Sequence, residues 1–371
     1  MKYLKSTFYG KTVLITGHTG FKGSWLALWL SMLGAKVVGV SKKVPTTPSN
    51  FETFSSNLEI IDLRLDITNG QSVCDMMCEH QPDFVFHLAA QALVRPSYES
   101  PVKTFMTNAI GTAMILDSLR ALSKPVIAVM ITSDKVYDNV EWTWGYRETD
   151  RLGGKDPYSA SKGMAELAIR SYVESFFNTP DSNVRVGVTR AGNVIGGGDW
   201  AVDRIVPDCM KAWASNLPVD IRSPNATRPW QHVLEPLSGY LQLAASLTES
   251  AVFHGKSYNF GPPADQSYSV GELIDTMAVH WGNALWNDTS SANQHLHEAG
   301  LLKLNCDKAL FDLDWKPTLN FQETVRITVD WYKYYYQNCN NLDAFSMYDF
   351  AKSQIEDYGQ KAIKKDLPWA K

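Results

Sequence analysis

The sequence predicts an α/β protein: a doubly wound parallel sheet with a smaller α/β substrate-binding lobe. Short apolar runs alternate with helical patterns through the first half of the chain. The first run ends in a glycine-rich turn that opens a helix. The 371 residues also exceed what one hydrophobic core usually organises.

The first strand is expected at residues 13–16 and its helix at 24–33, with Gly34 as the stop. Residues 36–40 read as a second strand and 59–63 as a third. A helix is expected at 72–79. The runs 84–88, 126–132 and 185–189 are continuous and apolar, as strands buried on both faces are. A helix at 109–122 joins the first two of these. Residues 252–260 read as a strand returning to the same sheet. These elements place a dinucleotide-binding domain at 1–190 plus roughly 231–258, and the substrate lobe at 191–230 and 259–371. The tail beyond Asn341 carries Phe345, Tyr348, Phe350, Ile355 and Tyr358 at helical spacing, as a packing or oligomer helix would.

Composition narrows the function classes. Hydrophobic content of 44% and a net charge of −4 fit an ordinary soluble protein and give no reason to expect nucleic-acid binding. No apolar run reaches membrane-spanning length, and no cleavable apolar leader is evident, so a cytoplasmic, non-membrane protein is expected. Cys74, Cys78, Cys209, Cys306 and Cys339 contain no C-x-x-C pair. Neither a disulfide framework nor a metal site is expected, and His295 and His297 read as loop residues.

Gly17, Gly20 and Gly23 follow G-x-x-G-x-x-G spacing between strand and helix. Such a turn lets backbone approach a pyrophosphate and aims a helix N-terminus at it. His18, Thr19, Phe21 and Lys22 lie within it. Asp66 and Ile67 follow the third strand, where an acid can bond an adenine amino group. Leu88, Ala89 and Ala90 are small or apolar residues over which a flat cofactor can pass. Ser41 stands where an acid would grip the ribose of NAD, and Lys42 and Lys43 would suit a 2′-phosphate. Residue chemistry thus leaves NAD and NADP open.

Tyr158 and Lys162 are four apart and share one face of a helix. A neighbouring ammonium favours the phenolate, making Tyr158 a base for an alcohol. Taken alone, this spacing is also that of a common surface pair. The strand ending at Thr132 is followed by Ser133, which can bond the reacting oxygen. Asp134 and Lys135 add an acid and a second basic group.

The glycine turn with Ser133, Tyr158 and Lys162 resembles the extended short-chain dehydrogenase/reductase family of nucleotide-sugar enzymes. Residues 17–26, 132–137 and 228–233 are similar to its 4,6-dehydratase branch that acts on CDP-hexoses. The better-known deoxythymidine-sugar dehydratases carry Asp-Glu where this chain has Asp134-Lys135. The resemblance implies a Rossmann-type fold, NAD, a CDP-glucose substrate and a role in dideoxyhexose formation for bacterial surface polysaccharide. It also implies a cofactor contact at Thr132. A homodimer or homotetramer is expected. Gln91 and Arg95 lie near the expected substrate mouth. Asn193, Trp200, Arg204 and Arg228 are candidates for the sugar diphosphate or base, guanidinium forks being suited to a diphosphate.

Overall fold

Alternating side chains on seven strands build two cores, one on each face of a single sheet. The computed structural model describes residues 1–282, 284–290, 301–339 and 346–371. The strands are β1 (Thr12–Thr16), β2 (Lys36–Val40), β3 (Ile60–Leu63), β4 (Phe84–His87), β5 (Val126–Ile131), β6 (Val184–Ala191) and β7 (Ser257–Phe260). Their order is β7-β6-β5-β4-β1-β2-β3. Every pairing among them is parallel.

Helix α1 (Phe21–Met32) follows the glycine turn. On the far face run α2 (Gly70–His80), α3 (Gly111–Leu119) and α4 (Pro157–Tyr172). Val13, Ile15, Phe86 and Val129 pack with Trp25 and Trp29 of α1 and with helix α5 (Leu234–Glu249). Leu14, Val85 and Ala128 point the other way, onto Met76, Leu116 and Ile169. The chain runs from β1 through β2 to β3 at one edge and then crosses back to β4 on the other side of β1. That switch point opens a crevice at the carboxyl ends of the strands.

Two helices differ from expectation, while the tail is the packing helix that its spacing allowed. The helix expected at 109–122 begins earlier, as Pro101–Phe105 and a π turn at Met106–Ile110, before α3. Helix α5 was not expected, because fourteen of its sixteen residues are buried and no polar face marks a 3.6-residue period. In the tail, α6 (Phe321–Asn338) is followed by α7 (Met347–Lys364). Tyr358 of α7 stacks on Trp369 at 5.4 Å and meets Trp29 edge-on at 5.8 Å, so this helix packs on its own chain. Phe345 lies outside the described residues, as do His295 and His297. Among the described residues no helix is long and apolar enough to cross a membrane, and no cluster of three or more His, Cys, Asp or Glu could hold a metal ion.

Candidate active site

The glycine turn sits at the switch point. Gly17 has φ +80°, and a Cβ there would lie 2.8 Å from the backbone nitrogen of Ala89. A Cβ on Gly23 would stand 2.1 Å from the carbonyl of Gly17. Both positions are closed by backbone. Gly20 differs: its Cβ would meet only the Gly17 carbonyl, at 3.3 Å, and it caps α1. The open side of the cradle therefore lies over Gly20 and the first amides of α1, which suits a pyrophosphate. Leu88 and Ala89 close its floor, their amides donating to the Thr16 backbone oxygen at 3.0 Å and hydroxyl at 3.2 Å; Ala90 follows them.

The side chains of the turn divide between two tasks. His18 is buried, with its ring nitrogens bonded to Ser41 at 3.1 Å and Asp62 at 3.0 Å. Thr19 donates its hydroxyl to the Lys43 carbonyl. These two residues tie the turn to β2 and β3 and present no free polar group. Phe21 packs toward Gly196. Lys22 points to the opposite end. Burial, aided by the Arg204 guanidinium, lowers its ammonium to about 8, and Asp134, Lys162 and Asp199 share its surroundings. The sequence placed Lys22 with the pyrophosphate; its charge also faces the reaction centre.

The candidate catalytic residues converge at the ends of β5 and α4. Asp156 caps α4 by accepting from the Ser159 amide at 3.0 Å, and Pro157 fits the first turn. That cap aims the first turn of α4, with Tyr158, at Ser133. Ser133 donates to Asp134 Oδ1 at 2.9 Å, and the Lys135 ammonium stands 4.0 Å from the same oxygen. Burial raises the Tyr158 phenol; a hydrogen bond with Ser133 and the charges of Lys135 and Arg204 pull the other way. Lys162, expected to favour the phenolate, turns instead toward the Ile131 carbonyl at 3.5 Å, and burial lowers it to about 8. Asp134 Oδ2 is buried without a partner among the described residues. It occupies the space where a Gly192 side chain would be, 1.8 Å from its Cβ position.

Behind this group lies a buried network that sequence reasoning missed. Arg190 makes a bidentate pair with Glu166 at 2.8 Å on both arms and donates to the Tyr137 hydroxyl at 2.8 Å. Tyr137 donates to Asn259 at 2.7 Å. Thr132 gives its hydroxyl to Glu166 at 2.6 Å. The network clamps α4 to β5, β6 and β7. It also corrects one expectation: the Thr132 side chain is held away from the crevice, leaving only its backbone for a cofactor.

Other expected residues scatter. Asp66 accepts from Lys42 at 2.5 Å and from Thr68, which hold its carboxyl below the usual range. Ile67 is buried under α3, against Gly111. Gln91 bonds its own loop, through the Leu93 amide and carbonyl, and shapes the mouth. Arg95 pairs with Asp203 at 2.7 Å on the surface. Trp200 is buried against Trp331, Tyr332 and Tyr335 and is core, not a substrate platform. Arg204 pairs with Asp199 at 2.7 Å yet acts electrostatically on Tyr158. Arg228 donates to the Thr227 carbonyl at 2.8 Å. Asn193, at φ +51°, keeps a buried Nδ2 without a partner among the described residues.

A glycine cradle at the switch point, beside Ser133, Tyr158 and Lys162, defines the short-chain dehydrogenase/reductase class. The profile of the GDP-mannose 4,6 dehydratase family matches residues 14–328, and the chain belongs to that family. A CDP-glucose 4,6-dehydratase from Salmonella typhimurium is 44% identical over 360 residues, covering 95% of this chain and 98% of its own. Solved structures share the fold. An epimerase from Methanothermobacter thermautotrophicus superposes with a TM-score of 0.76 at 20% identity, covering 92% of this chain and 97% of its own. A dTDP-glucose 4,6-dehydratase from Bacillus anthracis in complex with NAD gives 0.71 at 20% identity, covering 87% and 97%.

Proposed function

We propose that this protein is an NAD-dependent CDP-glucose 4,6-dehydratase, forming CDP-4-keto-6-deoxyglucose for dideoxyhexose and O-antigen synthesis. The observation that carries the reading is Asp134: a buried carboxylate with one free oxygen, beside Ser133, Lys135 and Tyr158. An epimerase needs no such extra acid; a dehydratase must expel the C6 hydroxyl. The identity to the Salmonella enzyme supports the nucleotide.

In this mechanism Tyr158 takes the proton of the C4 hydroxyl, which Ser133 orients. Lys135 and Arg204 favour the phenolate. NAD, when bound, would supply the reversible redox chemistry between C4 and C6, so that the net reaction is loss of water. The C4 carbonyl acidifies C5–H, and Lys135 assists removal of that proton as the neutral amine, after passing its own proton to Asp134. Asp134 protonates the departing C6 oxygen. Gly17, Gly20, Gly23 and the first amides of α1 hold the pyrophosphate, and Lys162 the nicotinamide ribose. Lys42 is already paired with Asp66, which leaves its charge less available for a 2′-phosphate and supports NAD over NADP. Asn193 and Arg228 take the sugar diphosphate.

The test compares CDP-, dTDP-, UDP- and GDP-glucose in an assay for the alkaline keto-sugar. Fastest turnover with CDP-glucose is expected. Keto product from another nucleotide instead would reassign the base, and a C4 epimer without keto product would make the protein an epimerase.

The chain is further inferred to form a homodimer or homotetramer. Val102, Met106 and Ile110 along one helical run, and Met164 and Leu167 on α4, are exposed apolar side chains on neighbouring helices. Light scattering is expected to give two or four protomer masses; one protomer mass contradicts the inference.

A further inference from the structure

Gln231 stands in none of the roles above, yet it lines the same pocket as Asp134 and Gly192, with Gly261, Gln266 and Lys303. It is 2% exposed, as is Asp134. Its amide nitrogen donates to two carbonyls, Gly192 at 3.0 Å and Phe260 at 2.9 Å. Two acceptors on one side fix the orientation of the amide: turned over, its oxygen would face two carbonyl oxygens. Oε1 therefore points away from them. It is buried without a partner among the described residues, and so is Asp134 Oδ2. A buried acceptor left unpaired costs free energy, and two on one pocket call for a group that donates hydrogen. A hydroxyl or water meets that need, since it donates to one oxygen and exchanges a proton with the other.

We propose that Gln231 positions the leaving oxygen of the hexose, a role that rests on the dehydratase reading and on Asp134 as the acid. In the elimination, the C5–H electron pair becomes the C5=C6 double bond as the proton of C5 passes to the Lys135 amine, whose own proton has moved to Asp134. The C6–O bond breaks and its electron pair leaves with oxygen. Asp134 gives that oxygen a proton, so water departs. Gln231 Oε1 accepts the hydroxyl hydrogen throughout, turning the oxygen's lone pairs toward Asp134. Gln231 exchanges no proton; it is a positioning residue. An apolar side chain here would support oxidation at C4 equally well and would leave the departing oxygen free to rotate.

The experiment uses the NAD-loaded enzyme, CDP-glucose, and the variants Gln231→Leu and Gln231→Met. Two readouts separate the steps: near-ultraviolet absorbance of the reduced nicotinamide for oxidation at C4, and keto-sugar formation for dehydration. Both variants are expected to oxidise C4 at near wild-type rate, accumulate reduced cofactor and dehydrate roughly 10- to 100-fold more slowly. Equal loss of both steps in both variants would make Gln231 purely structural and overturn the proposal. So would unchanged dehydration. If the wild type itself yields no 4-keto-6-deoxy product, the dehydratase reading fails first and this role falls with it.

Discussion

Turnover falls by ~10²–10⁴ when Tyr158 is replaced by Phe, the usual worth of a positioned acid or base. The ring stays in its buried site, so circular dichroism and NAD retention are unchanged. The pH profile carries the sharper signal. Burial raises the Tyr158 phenol, and the base form is the phenolate, so the wild-type rate climbs with pH on the limb set by this group. Lys135 is one of the cations pulling the phenol down. Lys135→Met, which loses dehydration and is therefore followed by oxidation at C4, is expected to move the limb to higher pH, while the Phe variant loses it. A wild-type limb unaffected by Lys135→Met contradicts the electrostatic assignment. Turnover of the Phe variant within threefold of wild type removes Tyr158 from the chemistry.

Arg190→Ala is expected to destabilise the fold by about 3–5 kcal/mol, because it strands the Glu166 carboxylate in the interior. Arg190 and Glu166 are both nearly inaccessible. After the substitution Glu166 keeps only Thr132 as a hydrogen-bond donor among the described residues, and Tyr137 loses the guanidinium at its hydroxyl. Urea unfolding measures the loss. The double variant Arg190→Met with Glu166→Met is expected to recover more than half of it, since well-packed apolar pairs often match a buried ion pair. If the single variant loses under 1 kcal/mol, Glu166 is neutral or hydrated without its partner, and the clamp between α4 and β6 is weaker than its geometry implies.

The parts of this protein that were legible in sequence are local in the chain. Gly17 and Gly23 announce a strand-to-helix turn because only glycine fits where the Ala89 backbone and the Gly17 carbonyl press in. Tyr158 and Lys162 announce a helix face because four residues make one turn. Contacts between distant segments were not legible. Trp200 reads as a stacking ring until Trp331 and Tyr335 arrive from α6 and bury it. Asp66 reads as a free carboxylate until Lys42 reaches it from the end of β2. Thr132 lies where a cofactor passes, yet its hydroxyl follows Glu166 of α4 to the other side. Lys22 reads as part of the pyrophosphate turn, and only the fold brings its amine close to Asp134 and Arg204. Gln231 sits in a recognisable motif, but its orientation depends on the carbonyls of Gly192, just past β6, and of Phe260 on β7.

The central claim is that one site removes hydrogen from C4 and delivers it to C6 of the same sugar. The fate of deuterium in CDP-glucose labelled at C4 tests it most directly. Turnover by the NAD-loaded enzyme, followed by mass spectrometry and proton resonance of the product, is predicted to show deuterium in the C6 methyl group, with no reductant consumed. Deuterium retained at C4, or a methyl group carrying none, would contradict the account.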